Sequence, residues 1–574
     1  MVGPVTLQRD EGQRIRLLRY FARKLLLNNA TLDLELFQEI DINDMLRNPD
    51  QDAAFDEGLQ VEAPPSEAEL YIDQRTIVDT IVDAVRSYVV PNRIDRSRLF
   101  FIEGPAGTGK TFTYKVICAK LASMNLKFVC AAYTGVAAAL LPKGRTLHSA
   151  PFSSRGMNLK FVCAAYTGVA VALLPKGRTL HSAPFSSRGT RGRDCYKNIE
   201  QATLILMDEV SMAPNRAIEV GEILIREAKD TESESPFGGM PILFGGDLRQ
   251  LSPICQPDET VEEIHFRNSR FLDRCHILQL NTNMRTDPDE REFADFIKSV
   301  GEGTHSSPPG LPALTLQIPD DWILPDNTLD NLIDWVFGDN PSITGQENAI
   351  LTQLNDDCLK INEKILLKFP GDKPIVTILS EDSVFDDDPN NPIVANNGAG
   401  VPEDSCTIEL DELHIQTPSE LPYHELNCGL VNGTRIRIDA ISRLRLRVTV
   451  SSGAETIRNQ QIDLARIEFI GDIGSVLKMR RVQFPIKLAF AMTVNKSQGM
   501  TLNKVSVFLK RHISDRGMLY VALSRVRRSE NIRMVVVPDD KQGYHNEKGL
   551  WFTQNPVRKQ LWDLDSRISG GNPL

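Results

Sequence analysis

The chain lacks the cysteine spacings that mark a metal site or a disulfide framework. Its nine cysteines are scattered, with no C-x-x-C pair, so reduced structural thiols are expected rather than zinc ligands or bridges. It also lacks any apolar run of the ~18 residues that a membrane span needs. Met1 to Arg23 contains several arginines but also Asp10 and Glu11, and no continuous apolar stretch. A secretory signal is therefore not expected, and a mitochondrial one has only weak support. An excess of positive charge is missing too. The net charge of −11 argues against coating nucleic acid by bulk charge, though not against a local basic track.

What is present is a long chain of globular composition. Its 574 residues, 41% apolar and 25% charged, are too many for one core and suggest roughly three or four domains. The most informative stretch is Gly104-Pro105-Ala106-Gly107-Thr108-Gly109-Lys110-Thr111. It follows the apolar run Leu99 to Ile102 and precedes a helical pattern carrying Val116, Ile117 and Leu121. Strand, glycine loop and helix in that order is the context in which a P-loop binds a nucleoside triphosphate. The glycines let backbone N–H groups converge on phosphate oxygens, and the helix dipole adds to the attraction. Lys110 is expected on the β- and γ-phosphates, and the Thr111 hydroxyl on Mg²⁺.

Residues 1–67 read as a helical leader of unclear role, ending in an acidic, proline-containing stretch from Glu57 to Glu67. The run from Tyr71 to Val82 has apolar residues at helical spacing. Beyond the P-loop unit, residues 124–156 recur almost unchanged as 157–189, with Ala138 replaced by Val171. Two copies are too few for a repeat array, and their near-identity points to a recent duplication or a sequence-assembly error rather than an architecture. A parallel sheet has one slot for the strand after the P-loop helix. Phe128 to Ala132 is expected to take it, because the first copy reaches it through a short connection.

Two more apolar strands end in polar groups. Leu204 to Met207 runs into Asp208 and Glu209; Ile242 to Phe244 runs into Gly245-Gly246-Asp247-Leu248-Arg249-Gln250. In a parallel α/β sheet, ligands sit at the strands' carboxyl ends. Asp208 there suits Mg²⁺ and Glu209 the polarisation of an attacking water. Gln250 is a candidate sensor of the γ-phosphate. Arg285 and Arg525 are candidate arginine fingers, since a guanidinium spreads charge over a fork of donors. Between Asp382 and Asn397 the chain is acidic and proline-containing, which reads as a surface insertion. Arg435, Arg437, Arg443, Arg445 and Arg447 alternate with apolar residues; they are either a phosphate-tracking strand face or a solvated edge.

Taken in order, several runs resemble successive helicase motifs: Gln74 in its helix, the P-loop, Tyr133-Thr134-Gly135-Val136-Ala137 and Thr146-Leu147-His148-Ser149. Asp208-Glu209, GGDLRQLSP, Asn283-Met284-Arg285, TVNKSQGMT from Thr493 and YVALSRV from Tyr520 continue the order. The set, from roughly Ala68 to Val537, resembles the petite-integration-frequency (PIF-type) DNA helicases of superfamily one, and within them the helicase portion of Helitron transposons. The resemblance implies an α/β fold of two RecA-like P-loop NTPase domains with ATP and Mg²⁺ in the cleft. Residues 68–272 would form the first domain and 273–574 the second, with a small β-rich insertion at about 379–486. It implies that Gln74 reads the adenine edge. Thr134, His148, Thr493, Asn495 and Lys496 match positions that contact single-stranded DNA or couple it to ATP.

The implied activity is ATP-driven translocation, 5′ to 3′, on single-stranded DNA with unwinding of duplex. It carries roles in repair, recombination or telomere maintenance, or an origin in a transposon. A monomer acting on DNA in the nucleus is expected, with the mitochondrion as the weaker alternative. Two departures from the family pattern stand out: the duplicated block, and the short link Asn427 to Val431 between Leu421-Pro422-Tyr423-His424-Glu425-Leu426 and Asn432-Gly433-Thr434-Arg435, where a further strand is expected. They leave an inactive ATP- and DNA-binding remnant as a second reading. A P-loop ATPase acting on protein or small molecules is a distant third. Residues 1–67 show no nuclease or replication-initiator motif, so a complete transposase is not expected in this sequence.

Overall fold

The computed structural model describes residues 67–89, 98–132, 141, 145–146, 164–165, 178–179, 199–229, 235–253, 255, 259–338, 341, 347–368, 380–386, 434–442, 445–451, 458–473 and 477–557. The chain divides into two compact units, one of residues 63–369 with 488–574 and one built on 370–487.

In the larger unit, helix α1 (Ile72–Val89) precedes strand β1 (Leu99–Glu103), and helix α2 (Lys110–Ser123) leads to β2 (Phe128–Ala132). Next come β3 (Arg145–Thr146), β4 (Ala164–Ala165), β5 (Arg178–Thr179), β6 (Leu204–Asp208), helix α3 (Asn215–Ala228), β7 (Ile242–Gly246) and β8 (His276–Gln279). Six of these strands form one parallel sheet in the order β3-β2-β6-β7-β1-β8. The period of two along each strand sends alternate side chains to opposite faces. Phe101, Ile205, Met207, Ile242 and Phe244 join α3 in one core. Phe100, Ile102, Leu204, Leu206 and Leu243 pack on α1 and α2 in another. Apolar residues on both faces are what a sheet covered by helices on each side requires.

β8 carries this first sheet past the expected domain boundary at 272–273. It pairs with β1 at the sheet edge, and its outer residues His276 and Gln279 are exposed.

The second RecA-like domain holds helix α4 (Arg291–Glu302), β9 (Thr315–Ile318), helix α5 (Leu329–Phe337), β10 (Asn348–Thr352) and helix α6 (Asn355–Leu366). After the smaller unit it resumes with β17 (Ala491–Thr493), β18 (Lys504–Leu509), helix α7 (Met518–Leu523) and β19 (Ile532–Val536). Its parallel sheet has the order β17-β10-β18-β19. Ala349 and Leu351 face α4 and α7, while Ile350 faces α5 and α6. A three-stranded antiparallel sheet of β9 with β20 (Gly543–His545) and β21 (Leu550–Gln554) completes it.

The first copy of the repeat supplies the sheet. β2 lies between β6 and β3, as the short connection after α2 predicts. In the second copy, β4 and β5 pair with each other and form their own two-stranded sheet.

The smaller unit has two antiparallel sheets. One is β11 (Glu381–Asp386), β16 (Leu477–Gln483) and β15 (Ile467–Ile473); the other is β12 (Ile436–Ile441), β13 (Arg445–Val450) and β14 (Gln461–Ala465). The acidic start of the proposed surface insertion is strand, because Asp382 pairs with Arg481 across the β11–β16 ladder at 2.6 Å. Of the two readings of the alternating arginines, Arg437, Arg445 and Arg447 fit a solvated face kept by ion pairs. Leu446, Val448 and Val450 fill the core, and Arg445 and Arg447 on the other face both pair with Asp463, at 3.4 and 3.0 Å. Arg437 pairs with Asp439. Arg443, the junction before Asn432 and residues 1–66 lie outside the described residues.

Candidate active site

The glycine loop bridges the end of β1 and the start of α2. Gly107 and Gly109 have φ of 87° and 78°, a region that costs a side-chain-bearing residue about 1–2 kcal/mol. A Cβ on Gly107 would also lie 2.6 Å from the Cβ of Arg285 and 2.7 Å from Asn283 Oδ1. The Lys110 ammonium folds back over the loop, donating to the carbonyls of Gly104 and, at 3.4 Å, Pro105. The Thr108 hydroxyl donates to the Pro105 carbonyl at 2.9 Å. Thr111 follows, half-buried, in the first turn of α2. Gln74 reaches the same loop from α1. It is buried, donates through Nε2 to the Thr108 carbonyl at 3.3 Å, and accepts through Oε1 from the Tyr71 N–H.

Asp208 closes β6, two strands from β1. Its Oδ1 accepts from the Tyr114 hydroxyl at 3.3 Å and from the Glu209 N–H at 2.9 Å. Glu209 has a left-handed backbone, φ 55°. Such strain in a non-glycine residue persists only where the surroundings hold it, and it clusters at functional sites. Burial raises both carboxyls, and the Lys110 ammonium opposes the rise. Glu209 is pushed up to about 7 by burial and by the charge of Asp208. Among the described residues, its buried Oε2 has no hydrogen-bond partner. Thr111 and Asp208 offer oxygen atoms, the ligand type Mg²⁺ takes. The buried acid pair, undercompensated by Lys110, fits a cation at that place.

The second domain closes the cleft. Arg285 lies between β8 and α4 and donates to the Ser524 carbonyl at 2.7 Å. Arg525 is buried just after α7 and donates to the carbonyls of Val521, Ser497 and Met500 and to the Ser524 hydroxyl. Burial, then repulsion from Arg285, lowers its guanidinium to about 9. Both arginines act electrostatically on Glu209. Gln250 is buried and donates to Asp247 Oδ2 at 3.3 Å. The structure thus gathers Gln74, the loop, Asp208, Glu209, Gln250, Arg285 and Arg525 around one cleft.

Of the five positions matched to DNA contacts, three are described. Thr493 ends β17, buried beside Thr352 of β10, and Asn495 and Lys496 follow on a 3-10 turn with Lys496 exposed. They occupy the carboxyl end of the second sheet. Thr134 and His148 lie outside the described residues.

Four residues of the cleft were not singled out from sequence; three lie in quoted motifs, and Gly517 stands three residues before the last of them. Tyr520 is buried and spans the domains: its hydroxyl accepts from the Ala106 N–H at 2.8 Å and donates to Asp247 Oδ2 at 2.7 Å. Gln498 donates to Gln250 Oε1 at 3.2 Å. Arg249 pairs with Glu103 of β1 and with Glu302 of α4, the latter at 3.0 Å. Gly517, at φ 73°, admits the backbone of Arg249 and Gln250 so closely that a Cβ would lie 2.6 Å from the Arg249 carbonyl oxygen.

A family model described as PIF1-like helicase matches residues 69–154 and 153–309, and a herpes helicase model matches 467–549. The break in the first match falls just before the junction of the two repeat copies at Gly156 and Met157. ATP-dependent DNA helicase PIF1 of Xenopus laevis is 24% identical over 453 residues, 78% of this chain and 60% of that protein. The Homo sapiens protein of the same name is 25% identical over 77% of this chain and 58% of its own length. Pif1 of Bdellovibrio bacteriovorus is 23% identical over 76% and 83%. The chain thus spans about 60% of the vertebrate relatives it matches.

Among solved structures, Pif1 helicase from Candida albicans shares the fold at a TM-score of 0.52 and 16% identity, over 87% of this chain and 99% of that one. Bacteroides Pif1 in complex with ADP-AlF3 and single-stranded DNA aligns at 0.51 and 22%, over 82% and 95%. Over residues 69–309 the chain is similar to the PIF1-like helicases, and the order of its motifs and its fold agree with that likeness.

Proposed function

We propose that the chain is an ATP-driven DNA helicase motor that moves 5′ to 3′ along single-stranded DNA. The observation that carries the reading is Glu209. A strained, buried carboxylate with an unpartnered oxygen stands at a strand end beside Asp208, with Lys110 on one side and two arginines of the closing segments on the other. That is the layout of a water-activating base in phosphoryl transfer, where catalysis is mostly positioning and charge neutralisation.

In this reading Lys110 leaves the loop carbonyls for the β- and γ-phosphates, and Gln74 turns its amide to the adenine edge. Glu209 takes the proton of the attacking water, Gln250 senses the γ-phosphate, and Arg285 and Arg525 take up charge on the transferring group. Thr111 and Asp208 would hold Mg²⁺, which supplies charge neutralisation at the phosphates when bound. Thr493, Asn495 and Lys496, with Thr134 and His148 from the first domain, would face the strand. The relatives' names, ATP-dependent DNA helicase, and the Bacteroides complex with ADP-AlF3 and single-stranded DNA support both ligands. A nuclear site of action, a monomer and a Helitron origin belong to the same reading.

The duplicated block favours one alternative, a remnant that binds ATP and DNA without unwinding. ATPase assays with and without single-stranded DNA, followed by strand displacement on 5′- and 3′-tailed duplexes, test both. No stimulation by DNA sinks the helicase reading. Stimulation without displacement leaves the remnant.

A further inference from the structure

A continuous line of hydrogen bonds joins the two ends of the cleft. The Ala106 N–H in the glycine loop donates to the Tyr520 hydroxyl, and that hydroxyl donates to Asp247. Gln250 Nε2 donates to the same Asp247 oxygen, and Gln498 Nε2 donates to the Gln250 carbonyl oxygen. Tyr520, Asp247, Gln250 and Gln498 are all buried, Asp247 completely. Gln498 stands two residues beyond Lys496, on the turn that follows β17. Its own Oε1 is buried with no partner among the described residues, so the link to Gln250 is its amide's hold on the site.

We propose that Tyr520 is a positioning residue that transmits the state of the Thr493-to-Gln498 segment to the glycine loop. The inference rests on the helicase reading, in which that segment faces DNA. Its physical basis is the geometry of a phenol with one proton and two lone pairs. The hydroxyl can donate to Asp247 and accept from Ala106 at once, which ties a backbone amide of the first domain to a carboxylate through an atom of the second. A shift of the Gln498 turn changes what Gln250 offers Asp247. Asp247 then holds the hydroxyl more or less firmly, and the Ala106 amide follows. Phenylalanine would fill the same space, since the ring packs on Gly301 through its edge; only the relay would be lost. Buried links of this kind strengthen one another in a low-dielectric setting, so a single break is felt at both ends.

The test is a binding measurement that needs no turnover. A fluorescent non-hydrolysable ATP analogue is titrated into the full chain with and without a single-stranded oligothymidylate. The factor by which DNA changes the nucleotide Kd is the coupling between the sites, commonly about 5- to 150-fold in such systems. Tyr520→Phe should reduce that factor at least about threefold while leaving the nucleotide Kd without DNA within about threefold. Gln498→Met, at the far end of the relay, should do the same, and the double variant should lose no more than the worse single. A wild-type coupling that survives in both variants overturns the inference and leaves the helicase reading standing. A wild type with no coupling at all also overturns the inference, while the helicase reading stands or falls with the DNA-stimulated ATPase assay. A structural defect would lower nucleotide affinity with and without DNA alike, and that result in both variants also counts against the relay.

Discussion

The backbone N–H of Met284 donates to the carbonyl of Gly107 at 2.7 Å. One hydrogen bond thus anchors the segment that carries Arg285 onto the crown of the glycine loop. Asn283 folds its side chain inward there, its Oδ1 accepting from the Arg285 N–H at 2.9 Å. The arginine is placed by backbone geometry before any ligand arrives, which is the economical way to keep a long side chain ready.

Gly107→Ala should break this arrangement. The new methyl meets Arg285 and Asn283 and forces a positive φ on alanine, at a cost of order 1–3 kcal/mol. Nucleotide affinity should fall at least about tenfold, with a lower melting temperature. An unchanged Kd in a nucleotide titration would show that the loop and the Arg285 segment separate freely.

A carboxyl pushed up to about 7 gives Glu209 a signature in pH. As a base it must be ionised, so kcat/KM for ATP should fall as pH drops below about 7, approaching tenfold per unit. Glu209→Gln should bind nucleotide, lose turnover and flatten the profile. The linkage runs the other way for stability. The folded state holds this proton above the pH at which the unfolded chain gives it up, so stability from this group is complete below about 4.5 and is lost as pH rises through about 7. Glu209→Gln should therefore melt higher than wild type at pH 8, and by less at pH 5.

Arg249 serves three carboxylates: Glu103 at the end of β1, Glu302 at the end of α4 and, at 3.7 Å, Asp247. Burial raises the Glu103 carboxyl, and Arg249 counters that rise. Arg249→Met removes the countercharge and should cost about 3–5 kcal/mol in urea denaturation, the usual effect of stranding a buried charge. Glu103→Gln in the same chain should recover part of the loss. No recovery would mean that Arg249 acts mainly through Glu302 and Asp247.

Deleting residues 157–189 joins Gly156 to Thr190 and leaves β2, β3 and β6 with their partners. Nucleotide affinity should stay within about twofold of wild type. A collapse of binding would mean that the second copy supports the first domain's sheet.

The carboxyl-end geometry of the first sheet was legible because its signals are local. Four apolar residues before Asp208, and a glycine loop between strand and helix, each state their own surroundings. β8 was missed because an edge strand shows polar residues outward and so loses the buried-strand pattern. The arginine stripe left two readings open for a related reason: alternation on β13 reports which side chains face outward, and Asp463, the cross-strand neighbour that pairs with two of them, comes from β14, whose pairing is not written in β13. Tyr520 and Arg249 lay in motifs already in view, but their partners are far away in sequence, and buried polar links between domains carry no periodicity.

The two copies of the 33-residue block form the same pairing. Ala131 and Ala132 lie against Arg145 and Thr146 in one, and Ala164 and Ala165 against Arg178 and Thr179 in the other, each displaced by the length of the block. Register in this corner of the protein is therefore an internal property of the block and does not depend on the sheet it joins. A segment that pairs with itself is a cassette: a copy inserted in tandem closes on its own strands and leaves the slot beside β6 to its predecessor. In such an architecture, tandem copying at the DNA level can lengthen the chain without re-threading the fold.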